Sequence, residues 1–175
     1  MNATKILLAA ALCTCASLSL AAQVTVTMRL IDSNGIGKSV GTVRIEDSMD
    51  GGLVMLPKLN GLSPGPHGFH MHESASCEPM EKEGKKVAGL AAGGHYDPDK
   101  TGKHEGPAGK GHMGDLPALV ADAKGLASER LMAPRLKVAD LMGRSLMAHE
   151  GGDNYSDEPK PLGGGGARIV CGVVK

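Results

Sequence analysis

The sequence predicts an all-β domain: an eight-stranded antiparallel Greek-key barrel, flattened into a sandwich and carrying two long functional loops. Three observations point there. Apolar and polar residues alternate with a period of two in short runs, and turn signals such as Asn34-Gly35, Asp50-Gly51-Gly52, Asn60-Gly61 and Lys124-Gly125 punctuate them. No stretch carries the apolar repeat of a strong amphipathic helix. A chain of 175 residues has room for one such domain, or for a leader and one domain.

Composition narrows the function. Hydrophobic residues make up 41% and charged residues 22%, which is the balance of a globular chain and not of a disordered one. Lys and Arg number 19 and Asp and Glu 19, so the net basic charge that accompanies nucleic-acid binding is missing. With no Trp, 1 Phe and 2 Tyr, stacking platforms for bases are excluded as well, and Val, Leu, Ile, Met and Ala must fill the core.

Taken in order, the chain opens on a secretory signal over residues 1–22. Lys5 supplies its positive start, Ile6 to Ala16 its apolar run, and Ser19-Leu20-Ala21 the small residues for cleavage near Ala21 or Ala22. The run is shorter than the roughly 20 residues a membrane span needs, so no membrane contact is expected once it is removed. Cys13 and Cys15 leave with it. Cys77 and Cys171 remain in a single domain, 23–175, and an even pair in an exported chain reads as a disulfide. The long loop it closes is worth about 4.7 kcal/mol on chain-entropy grounds.

The first strand follows, with Val24, Val26, Met28 and Leu30 facing one way and Thr25, Thr27 and Arg29 the other. Further strands are expected at Gly41 to Glu46, Leu53 to Leu59, Gly68 to His72, Ala118 to Ala121, Leu131 to Val138, Ser145 to His149 and Ala167 to Val174. Leu136 to Met142 is the best candidate for a short helical turn. Residues 73–115 and 150–166 break the strand rhythm, and loops of that length are uncommon in compact domains unless they do something.

Most of the histidines gather in or beside those two loops. On a strand, His70 and His72 project from one face while Met71 points the other way, which makes a bidentate metal grip. His95, His104, His112 and Asp115 offer three imidazoles and a carboxylate, the donor set of a closed tetrahedral zinc site. His149 ends a late strand ahead of Gly151-Gly152, a turn able to bring Asp153 back towards the other ligands. Six ligating histidines exceed what one zinc needs and favour two metals. A nitrogen-only set suits Cu(II), which adds redox chemistry that zinc lacks. The His-x-His-x-Asp pattern of metallo-hydrolases fails, because position 74 is Ser. His67 is left over and reads as a structural histidine.

Gly68-Phe69-His70-Met71-His72-Glu73, Gly93-Gly94-His95, Gly111-His112-Met113-Gly114-Asp115-Leu116-Pro117, His149-Glu150-Gly151-Gly152-Asp153-Asn154-Tyr155 and Gly166-Ala167-Arg168-Ile169-Val170-Cys171-Gly172-Val173 together resemble the copper,zinc superoxide dismutases. The loops and the signal are similar to those of the bacterial periplasmic branch. The resemblance implies one copper held by His70, His72, His95 and His149, and one zinc held by His95, His104, His112 and Asp115, with His95 shared as a bridging imidazolate. It makes Asp153 the carboxylate tying His70 to His104, Cys77–Cys171 the intrasubunit disulfide, and Arg168 the cation at the mouth of the copper channel. The implied activity is dismutation of superoxide in the periplasm. The resemblance further implies that the link between copper and His95 is to open on reduction, the ring then carrying a proton to the nascent peroxide. The expected substrate is thus a small anion, and the enzyme is a monomer or a homodimer. A copper/zinc-binding protein of the same fold without turnover is the alternative; it would usually lack a copper ligand or the entrance arginine, and this chain lacks neither. Lys82, Lys85 and Lys86 form a second basic cluster, interleaved by Glu81 and Glu83.

Overall fold

The computed structural model describes residues 22–175, so the expected signal segment, with Cys13 and Cys15, lies outside the described residues apart from Ala22. The period-two runs become strands: β1 (Gln23–Asp32), β2 (Gly35–Asp47), β3 (Leu53–Leu59), β4 (Gly65–His67), β5 (Phe69–His72), β6 (Met80–Lys82), β7 (Lys85–Val87), β8 (Leu119–Ala121), β9 (Leu131–Ala133), β10 (Ser145–His149) and β11 (Arg168–Val173). Seven form one curled antiparallel sheet in the order β5-β10-β11-β1-β2-β3-β9, while β4 pairs with β8 and β6 with β7. Neighbours distant in sequence, such as β1 beside β11 and β5 beside β10, are the crossovers of a Greek key. A bridge between Leu59 and Ala127 links the end of β3 to the segment after β8.

Every expected run contains a strand, and the differences are local. The second strand begins at Gly35, because Ile31↔Ile36 and Asp32↔Gly35 carry its pairing with β1 down to the turn. The run expected from Gly68 begins as β5 at Phe69, and the short β4 ahead of it was not expected. The run from Leu131 stops at Ala133, since Pro134 has no N–H to give a ladder. The expected helical turn then appears as α1 (Val138–Leu141), with the Val138 N–H donated to Asp47 Oδ1 at 2.8 Å. The hairpin β6–β7 lies inside a stretch read as loop; its exposed Glu81, Lys82, Lys85 and Lys86 leave no apolar face to signal a strand.

Inside the curled sheet, Val26, Met28, Val43, Ile45, Leu53, Met55 and Leu146 pack with Phe69, the single phenylalanine, which is 0% exposed. In β1 a register shift between Met28 and Ile31 moves the buried face from even to odd positions, so Ile31 leaves the main core for a smaller cluster. That cluster contains Met147, Ala92 and the disulfide between Cys77 and Cys171, which joins the long loop after β5 to β11.

The bridge spans 94 residues. Replacing both Cys77 and Cys171 with Ser is therefore expected to lower the unfolding free energy by about 2–5 kcal/mol. Urea melts of the two proteins test this, and coincident midpoints at equal slope would contradict it.

Candidate metal centre

Alternation along β5 sets the site. Met71 points into the core and His70 and His72 to the other face, yet all three are 0% exposed, because the long loop folds back over that face. It does so as backbone: His72 bridges to His95 and His70 to Asp115 in antiparallel fashion. The Met71 N–H donates to Gly114 O and the Tyr96 N–H to Met71 O, both at 2.8 Å. Gly114 permits the approach, since a Cβ there would stand 2.2 Å from Met71 O. On the other flank β10 pairs Met147 with His70, and the His149 N–H donates to Gly68 O at 2.8 Å.

These constraints converge seven side chains into two adjoining donor sets. His70, His72, His95 and His149 each place a ring nitrogen within 4.8 Å of the others. In the second set Asp115 Oδ1 lies 3.1 Å from His95 Nδ1, 3.0 Å from His104 Nδ1 and 3.5 Å from His112 Nδ1. Ligands on a tetrahedral zinc at about 2.0–2.1 Å stand about 3.3 Å apart, so this is the spacing of a zinc cage. His70 also comes within 4.8 Å of His95, His104 and Asp115, but its Nε2 is occupied by Asp153, which leaves Nδ1 for the first set. His95 alone turns Nε2 to one set and Nδ1 to the other. The fit to cations shows in what is left unpaired: Nδ1 of His70 and Nε2 of His72, His95 and His149 are buried with no hydrogen-bond partner, and Nδ1 of His104 and His112 meet only Asp115 Oδ1. Orphaned buried nitrogens cost about 1–3 kcal/mol each, a cost that bound metals remove.

The remaining nitrogens are tied outward. Asp153 accepts from His70 Nε2 through Oδ2 and from His104 Nε2 through Oδ1, both at 2.7 Å, with no solvent at either contact. Gly163 closes over it at φ 69°, where a Cβ would fall 1.9 Å from Asp153 Oδ1. His72 Nδ1 faces Gly93 O at 3.0 Å and His149 Nδ1 faces Gly166 O at 3.1 Å, which fixes ring orientation and tautomer.

Electrostatics divide the two sets. Burial pushes His70 down to about 3 and His149 to about 4, and lowers His72 and His95, so these rings are neutral donors at physiological pH. Burial also acts to lower His104, but Asp115 and Asp153 on either side raise it to about 9. Burial tends to raise those two carboxyls, and their histidine contacts overcome it and hold both well below the usual carboxylate range.

Arg168 stands opposite His149 in the β10–β11 ladder, half-buried, and donates through Nη1 to Gly89 O at 2.6 Å and through Nη2 to Gly93 O at 2.7 Å. It thus shares the Gly93 carbonyl with His72. His67 has both ring nitrogens at carbonyls, Nδ1 at 2.6 Å from His149 O and Nε2 at 2.8 Å from Ser63 O, and joins neither set. Lys82, Lys85 and Lys86 are exposed on the β6–β7 hairpin, with Lys86 paired across it to Glu81. Two acids escaped the sequence reading: Glu73 Oε2 accepts the Gly94 N–H at 3.0 Å, and Asp157 Oδ2 accepts the His104 N–H at 2.9 Å. Nothing in the sequence distinguishes Asp157 from an ordinary loop acid, while Glu73 is marked only by adjacency to His72.

The model of the family described as copper/zinc superoxide dismutase (SODC) matches residues 39–174. Superoxide dismutase [Cu-Zn] 2 of Salmonella typhimurium is 56% identical over 156 residues, covering 89% of this chain and 90% of that protein. The structure of a Cu/Zn superoxide dismutase from Brucella abortus superimposes with a TM-score of 0.86 at 56% identity, covering 88% of this chain and 100% of that one. The solution structure of the monomeric copper, zinc superoxide dismutase from Salmonella enterica gives a TM-score of 0.79 at 54% identity, with coverage of 88% and 100%.

Because His104 holds its proton up to about pH 9 in the metal-free protein, a cation entering the second set must displace it. Zinc loading near neutral pH is expected to release about one proton per ion, so apparent zinc affinity rises as pH climbs towards that value and falls in acid. Calorimetry in buffers of differing ionisation heat measures the release; a pH-independent affinity would contradict it.

Proposed function

This chain belongs to the copper/zinc superoxide dismutase family, and from that premise we propose how its residues convert two superoxide anions and two protons into dioxygen and hydrogen peroxide. The enzyme uses copper and zinc. We assign copper to Nδ1 of His70 and Nε2 of His72, His95 and His149, and zinc to Nδ1 of His95, His104 and His112 with Oδ1 of Asp115. The observation that carries this is the set of buried, unpartnered ring nitrogens, with His95 facing both ways.

Copper held by these neutral imidazoles would supply the one-electron couple that dismutation requires. The chain does the rest. Arg168, beside the first set, draws in the small anion, and its guanidinium is fixed by the carbonyls of Gly89 and Gly93. His95 Nε2 is the atom able to hold a proton facing the substrate and hand it to the reduced oxygen. Its Nδ1, 3.1 Å from Asp115 Oδ1, keeps the ring in place meanwhile. Asp153 sets the orientation of His70 and His104 from behind.

Residues 1–22 are assigned as a cleaved signal and the enzyme to the periplasm. The Cys77–Cys171 bridge supports this, because such bonds persist in oxidising compartments. No helix among the described residues is long and apolar enough to cross a membrane. All the proposed ligands come from one chain, and a similar protein is described as monomeric, which supports turnover by a single copy.

Reconstituted protein is expected to hold one copper and one zinc per chain and to consume superoxide; zinc alone, with ester hydrolysis, would overturn the assignment. Arg168→Ala is expected to lower kcat/KM roughly tenfold and to flatten its dependence on ionic strength. Pulse radiolysis across a salt series reads both, and an unchanged salt slope would remove Arg168 from the steering role.

A further inference from the structure

Four of the six proposed ligand histidines have the nitrogen turned away from their donor set held by a protein acceptor, His70 and His104 by Asp153, His72 by Gly93 O and His149 by Gly166 O, while His95 faces a donor set on each side. His112 differs. Its Nδ1 faces Asp115 at 3.5 Å and is buried without a hydrogen-bond partner, and no protein group among the described residues holds its Nε2, on a side chain that is 9% exposed. A metal-binding imidazole is ordinarily oriented by an outer partner, and since no protein acceptor serves His112, the constraint the protein itself places on this ring comes through the backbone.

The backbone of His112 is clamped from a distant element. Arg135, just beyond β9 and Pro134, donates through Nη2 to Gly111 O at 3.0 Å and to His112 O, and through Nη1 to Gly109 O. The His112 N–H is in turn donated to Lys103 O at 2.8 Å. β9 and β5 are the two edges of the seven-stranded sheet, so the guanidinium carries one edge of the sheet to the loop folded over the other. No carboxylate pairs with Arg135 among the described residues, and its Nε is buried without a partner; its donors are committed to loop carbonyls.

We propose that Arg135 is the positioning residue of His112, supplying through three carbonyls the constraint that no protein acceptor gives this imidazole. The inference rests on the reading of His95, His104, His112 and Asp115 as the zinc ligands. Lysine cannot reproduce it, since a point-like ammonium does not span carbonyls that a planar fork reaches together.

The unaltered enzyme, Arg135→Lys and His112→Ala, each stripped of metal, are titrated with zinc against a chromophoric chelator. Each is then loaded with cobalt(II) at the zinc position as a coloured reporter of its ligands. Arg135→Lys is expected to bind zinc about 10–100-fold more weakly and to move its cobalt absorption towards that of His112→Ala, with the copper resonance spectrum unchanged. In Arg135→Ala, added guanidinium ion at low concentration is expected to restore part of the zinc affinity, a comparison made within one variant and independent of its stability. Zinc affinity within twofold of the unaltered enzyme, with an unshifted cobalt spectrum, would overturn the role of Arg135 whatever the melting temperature. Unaltered zinc binding by His112→Ala would instead overturn the ligand reading itself.

Discussion

Six imidazoles share a largely buried interior and point bare nitrogens at one another, and the rest of the molecule is arranged to make that arrangement tolerable. In a purely organic core this would be an error of design, because unpaired buried donors and acceptors are penalised. The rings are held there by a rigid sheet below, backbone bridges above and carboxylates behind, so the deficit is left open for cations to fill. The acids are placed with the same economy. Asp115 stands inside the second donor set and Asp153 behind both, so negative charge is supplied where zinc would sit and kept off the side facing the substrate.

Glycine makes this enclosure possible at two points. At Gly114 the long loop pairs with β5 as though it were another strand, and at Gly163 the second loop lies directly on the bridging carboxylate. A side chain at either position would lift a loop off the site. Both loops therefore act as walls, and the contacts of Asp157 with the His104 N–H and of Tyr155 Oη with the Ala118 N–H bind the second wall to the first and to the barrel.

Much of this was legible in the sequence, for identifiable reasons. His70 and His72 could be placed on one face because strand geometry alternates, and His95, His104, His112 and Asp115 could be grouped because the donors are of the right kind and lie close in the chain. The pairing of Cys77 with Cys171 followed from there being only two cysteines beyond the signal. What stayed hidden was contact between segments with no pattern of their own. The β6–β7 hairpin has charges on both faces, the end of β9 depended on where Pro134 interrupted pairing, and Arg135 meets its carbonyls through a fold that local spacing does not encode. The resemblance makes Arg168 the cation at the mouth of the copper channel. Its guanidinium is also a brace, holding the loop carbonyl that orients His72.

The carboxylate of Asp153 touches one imidazole of each donor set, and His95 belongs to both. Two loading events joined by such shared parts form one thermodynamic cycle. Whatever factor zinc contributes to the tightness of copper, copper returns to zinc in equal measure, because the order of filling cannot change the sum. The coupling between the two sites is therefore a single quantity, readable from either metal.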